Sequence, residues 1–210
     1  MISLPANLSP QQMQFIQQTY RVFLMSLGGM FLLGLVSYFT FPPASKWVLG
    51  ILDTLLWVAC GWFGLRQPIK VVSTVFVVIT GLFLGMVARS NPALFMASTL
   101  LTVMVFAGLT LYVHQTARDF SNLRPILNMA FWLMLALGLI FIFVSTSFLS
   151  LIIGIVGTVV FTGWILYDTQ QIIQRSDSDY GYTPVLGAFD LIMDIVGLRS
   201  SIQNIMSHFD

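Results

Sequence analysis

The chain carries apolar runs over residues 21–41, 47–65, 70–88, 93–113, 125–145, 148–168 and 185–206, and the first six are nearly free of charge. A helix of about 20 apolar residues crosses the hydrocarbon core of a bilayer. There it satisfies its own backbone groups where no water can. Composition gives the same answer. Of 210 residues, 57% are hydrophobic and 8% charged, with a mean hydropathy of +0.89. A soluble domain needs about 25% charge to wet its shell. The expected fold is an all-α integral membrane protein, a seven-helix bundle over 21–206, with the polar C-terminal helix in its centre.

Breakers fall where loops are needed, at Pro42-Pro43, Gln67-Pro68, Ser90-Asn91-Pro92 and Arg124-Pro125. Residues 1–20 are polar and glutamine-rich, without a basic stretch followed by an apolar core, so they read as a cytoplasmic segment and not a cleavable signal. With the N-terminus inside, the inner loops hold Arg21, Arg66, Lys70, Arg118, Arg124 and Arg175, and the outer side only Lys46 and Arg89. That bias favours a cytoplasmic N-terminus. The short tails point to a bacterial inner membrane. Tyr38, Trp47, Trp62, Tyr112, Trp132, Trp164 and Tyr167 fall mostly near span ends, as an interfacial belt would place them. Gly28, Gly29 and Gly34 in the first span, and Gly154, Gly157 and Gly163 in the sixth, permit close helix approach.

Net charge is +1, which leaves no electrostatic footprint for nucleic acid. The single Cys60 lies inside an apolar run and reads as a packing residue. No G-x-S-x-G, H-E-x-x-H, P-loop or cysteine pair is present, so an enzyme is not expected. Tyr167-Asp168 matches one of the two signatures of aspartyl membrane proteases, but the Gly-x-Gly-Asp that should accompany it is absent.

The charges inside spans are the informative ones: Asp53 in the second, Asp168 at the inner end of the sixth, and Asp190, Asp194 and Arg199 in the seventh. An ionised group at mid-membrane costs about 2.5–3.5 kcal/mol on insertion scales, so each is a functional candidate. In the seventh segment Gly187, Asp190, Asp194, Gly197, Ser201 and Asn204 recur at helical spacing and form one small or polar face. Such a stripe cannot face lipid and belongs inside the bundle. Arg199 does not share it. Asp168, Asp190 and Asp194 end up on the same side of the membrane, near the inner mouth of a central cavity. Close carboxylates in low dielectric cannot all stay ionised, so one holds a shared proton. Such a cluster can bind a hard cation or switch a helix contact with pH. The bland alternative is that the aspartates only cap or bridge helices. Asp177 and Asp179 read as solvated turn residues, and His114 and His208 as interfacial.

Three ordered stretches carry a resemblance: Gly163-Trp164-Ile165-Leu166-Tyr167-Asp168-Thr169-Gln170, Leu186-Gly187-Ala188-Phe189-Asp190-Leu191-Ile192-Met193-Asp194, and Thr116-Ala117-Arg118-Asp119-Phe120-Ser121. Together they resemble the transmembrane Bax inhibitor motif family, over the whole chain in span number and loop pattern. The resemblance implies a last helix wrapped by the other six. It also implies a pH-sensitive calcium leak, gated by an aspartate dyad that maps onto Asp168 and Asp194. On that reading the two are also the expected calcium ligands. Asp190 stands one turn earlier, and Asp53 falls where channel-type members carry an acid in the second helix. Arg66 is the only candidate for the family's latch arginine, at an offset that does not match cleanly. The family's Asp-x-x-Asn is here Asp194-Ile195-Val196-Gly197, and the following arginine is displaced to Arg199. Calcium is thus expected as the transported or bound ion, with no cofactor. The expected partners are lipid, calcium and protons. Some bacterial members act on a membrane-bound ATP-dependent protease, so a regulator without transport is the alternative.

Overall fold

The computed structural model describes residues 9–42, 45–62, 68–116, 118–144, 146–174 and 181–209. Among these residues it shows seven α-helices and no strand: α1 (Pro10–Thr40), α2 (Ser45–Trp62), α3 (Ile69–Ser90), α4 (Pro92–Gln115), α5 (Leu123–Phe143), α6 (Ser147–Gln174) and α7 (Pro184–Met206). Helices α1, α3, α4 and α6 are long and apolar enough to cross a membrane. Their outward side chains are apolar, Phe31, Met96, Leu100, Met104 and Val159 among them. The surface is built for lipid.

Local chemistry sets several starts. Ser9 accepts from the backbone N–H of Gln12 at 3.2 Å while Gln12 returns a bond to the Ser9 N–H, a reciprocal cap with Pro10 in the first turn. Asn91 caps α4 through the Leu94 N–H, and Thr183 caps α7 through the Leu186 N–H, each followed by proline. Proline is cheap there because the first N–H groups of a helix have no intrahelical acceptor.

Two boundaries differ from the sequence expectation. The glutamine-rich stretch expected to precede the first span is helical from Pro10, because Phe15, Ile16 and Thr19 are buried on the inner side of the bundle. The sixth helix runs past Asp168 to Gln174, with Thr169, Gln170 and Ile172 buried. Asp168 therefore sits well inside the helix and not at its end.

The centre of the bundle is α7, which packs on α6, α1, α4 and α3. The expectation that it is wrapped by all six others needs correction. Among the described residues, α2 and α5 make no close backbone approach to it. A cavity lies between.

Glycines set the closest approaches. A side chain at Gly85 would meet the Gly34 carbonyl of α1, and one at Gly81 would stand 3.0 Å from the Met30 backbone. Ser37 seals this contact by donating to the Leu82 carbonyl at 2.7 Å. In the sixth helix, a Cβ at Gly154 would lie 2.8 Å from the Ser201 carbonyl, and Gly157 faces the Ser201 hydroxyl. Gly28, by contrast, has nothing within 4 Å. The polar stripe of α7 is thus the face against α6: Gly197 lies on Phe161 and Ser201 on Gly154 and Gly157.

Candidate functional site: an acid-lined cavity beside α7

Asp168, Asp190 and Asp194 line one cavity of about 780 Å³. They are 8%, 8% and 5% exposed, so all three are held largely away from solvent. The helix period explains the grouping. Asp190 and Asp194 are four residues apart on one face of α7, and Asp168 meets that face from α6. Arg124, in the first turn of α5, and Gln171 and Tyr167, from α6, line the same space, with Tyr182 just before α7. Tyr167 was expected in an interfacial belt, and so was Trp164; both line the cavity instead. Trp47 and Tyr112 do face outward.

Part of the cavity wall is aromatic. Trp57 and Phe161 line it and pack edge-on at 5.9 Å. Trp57 also meets Phe76 at 5.7 Å, and Phe76 meets Phe189 at 5.3 Å, both edge-on. Phe76 and Phe189 are fully buried. Side chains from α2, α3, α6 and α7 thus form one interlocked layer beside the cavity, worth about 0.5–1.5 kcal/mol per ring pair beyond burial.

Asp53 does not join the acids. It is buried, but Thr80 of α3 donates to its carboxylate at 2.5 Å, and it does not line the cavity. It shares a helix face with Trp57 and Cys60, at spacings of four and seven. Those two do line the cavity. Arg199 points away from the acids, stacked on Phe95 at 4.0 Å with Thr99 and Gln203 as hydrogen-bond partners. His114 is buried, its Nε2 3.2 Å from the Tyr20 hydroxyl, and His208 Nδ1 lies 2.7 Å from Ser147. Arg66, and the loop with Arg175, Asp177 and Asp179, lie outside the described residues.

The loop between α4 and α5 is tied to the acidic end. Gln170 accepts from the Phe120 N–H at 2.5 Å and donates to Asp119 at 3.0 Å. Bonds from the Ser121 hydroxyl and N–H, then from Gln170, hold the Asp119 carboxyl below its ordinary range. Because the Gln170 side chain serves this loop, it fixes the turn of α6 beside Asp168.

Among the described residues, no group of three or more His, Cys, Asp or Glu converges to hold a metal ion. A calcium ion at Asp168 and Asp194 would complete its roughly 6–8 oxygen ligands with water or carbonyls. Sequence reasoning missed Arg124 as a cavity residue, having counted it as a loop charge, and missed the aromatic layer.

A polytopic helical membrane protein with a buried acidic cavity beside its central helix is the class that this fold and site define. The family described as inhibitor of apoptosis-promoting Bax1 matches residues 12–210. The chain belongs to this Bax inhibitor family. An uncharacterized protein of Campylobacter jejuni is 30% identical over 93% of this chain and 89% of its own length. Bax inhibitor 1 of Schizosaccharomyces pombe is 32% identical over 62% of this chain and 49% of its own length. Protein lifeguard 4 of Mus musculus is 33% identical over 47% of this chain and 40% of its own length.

Proposed function

We propose that the protein is a pH-sensitive calcium leak in a bacterial inner membrane, gated by Asp168 and Asp194. The observation that carries this reading is that three buried carboxylates from two adjoining helices line one cavity, with Trp57 and Phe161 on its wall. Two carboxylates at close range in low dielectric favour a shared proton. With that proton in place, α6 and α7 stay together. Its loss as pH rises leaves two like charges that push the helices apart and loosen Phe161 and Phe189 from the layer. Among the described residues, the other ionisable groups lining the cavity with the pair are Arg124 from α5, Tyr167 from α6, Cys60 from α2, and Tyr182 and Asp190 from the α7 side. Arg124 offsets part of the repulsion, and calcium entering the cleft offsets the rest by accepting carboxylate oxygens.

Calcium entry into proteoliposomes tests the proposal. We expect flux above empty vesicles, changed several-fold by Asp168→Asn. Absence of flux at every pH would contradict it. That result would favour a regulator without transport, acting on a partner such as a membrane-bound ATP-dependent protease.

The inner-side excess of Lys and Arg orients the protein with its N-terminus cytoplasmic and, if α7 spans fully, its C-terminus outside. Single cysteines at Gln11 and Ser207, in a Cys60→Ser background, should then label from opposite sides. Labelling from one side would overturn this topology.

A further inference from the structure

A second pocket, of about 300 Å³, opens between α1, α3, α4 and α7 near the ends of α1 and α3, away from the acidic cavity. Its wall is almost wholly apolar, and its rim carries Phe31, Leu35 and Val103, which are exposed where lipid tails would lie. Arg199 lines it and is 6% exposed. Among the described residues the partners of this guanidinium are all uncharged: Nε donates to Thr99 at 3.4 Å, Nη2 donates to Gln203, and Cζ stands 4.0 Å from the Phe95 ring centroid. Nη1 donates to none of them. Asp190 and Asp194 face the other cavity.

A buried cation at the end of an apolar slot is an uncompensated charge in low dielectric, and an anion delivered there gains both Coulomb attraction and charge-assisted hydrogen bonds. We propose that this pocket binds a long-chain fatty acid, with its carboxylate on Arg199 and its chain along the apolar wall. The size of the pocket selects this occupant. Its volume is at the lower end of small-molecule pockets, about 300–1,000 Å³, which suits one chain and not the two of a phospholipid. Arg199 reaches Phe95 in the first turn of α4 and Gln203 near the end of α7, so the carboxylate would lie towards the helix ends and the chain along the apolar wall. A fatty acid brings a single chain and one carboxylate, which pairs with the guanidinium through charge-assisted hydrogen bonds. The site is independent of the acidic cavity and of any ion flux.

Binding of tritiated palmitate to the purified full-length protein in a non-ionic detergent tests this. We expect saturable binding near one per chain, displaced by unlabelled palmitate and not by methyl palmitate, which lacks the charge. Arg199→Gln should weaken it at least tenfold, while Arg199→Lys keeps most of it. Ala88→Phe fills the pocket without touching Arg199 and should abolish binding, which decides the matter if Arg199→Gln does not fold. Non-saturable binding, or binding unchanged by Ala88→Phe, would overturn the proposal. Displacement by dioleoyl phosphatidate at lower concentration than by palmitate would also overturn it, in favour of a phospholipid headgroup.

Discussion

Helices α4 and α7 lie against each other and are 24 and 23 residues long, yet they solve opposite problems. The buried residues of α4 include Ser98, Thr102 and His114, while Met96, Leu100 and Met104 are turned outward. The burial of α7 runs over nearly its whole length and takes in Asp190, Asp194 and Arg199. In lipid the apolar face gains nothing from being inside, so hydropathy marks what touches tails, and small or polar residues mark what touches protein. The packing face of α4 is marked only by the uncharged Ser98 and Thr102 and by His114 near its end. The face of α7 is written in its polar residues.

This contrast can be broken first with glycines. Gly154→Leu forces a side chain against the Ser201 carbonyl and the backbone of Ile205, which cannot rotate aside. Overpacking of this kind costs about 1–3 kcal/mol or more, and thermal unfolding in detergent should show a large loss. Gly108→Leu, on α4, meets nothing within 4 Å and should leave the midpoint unchanged or slightly raised. Equal losses would mean that α7 is not the better-packed helix.

A smaller effect is expected at Asp53. Thr80→Val removes the donor to a buried carboxylate outside the cavity. The expected loss is about 1–3 kcal/mol, read by the same unfolding assay, and the pH response of any calcium flux should stay that of the parent. A shifted pH response would put Asp53 on the ion path.

The smallest effect belongs to Asp119. Its carboxyl is held below the ordinary range in the folded protein, so its contribution to docking the α4–α5 loop is complete above the unfolded value. It is lost as pH falls through the folded one. Amide exchange at Phe120 and Ser121 should lose protection, relative to the intrinsic rate, in that acid range. Asp119→Asn should show the weaker protection at every pH. Identical protection in both proteins would remove the loop tie.

Much of this was legible in the residues. Seven apolar runs specify seven helices, and the three-and-four spacing of Gly187, Asp190, Asp194, Gly197 and Ser201 specifies a helix with a face that must be covered. The early start of α1 was signalled by Ser9-Pro10 with Gln12, and by Phe15, Ile16, Thr19 and Phe23 at helical spacing, but a hydropathy reading passes over a glutamine-rich stretch. Two features had no local signal. Arg124 looks like any loop cation until α5 brings it to the mouth of the cavity, and Trp57, Phe76, Phe161 and Phe189 come from four different helices. Asp53 shows the same limit: its charge is visible in the sequence, but its partner Thr80, 27 positions away, is not.

The proposed sharing of a proton between Asp168 and Asp194 is tested most directly by calcium entry into proteoliposomes as a function of pH for the parent, Asp194→Asn and Asp190→Asn proteins. The parent flux should rise with pH as the shared proton leaves. Asn at 194 keeps the shape and removes one charge, so its flux should be flat across the same range, while Asn at 190 should only shift the curve modestly. A curve for Asp194→Asn that titrates like the parent would contradict the dyad and make Asp190 the partner of Asp168.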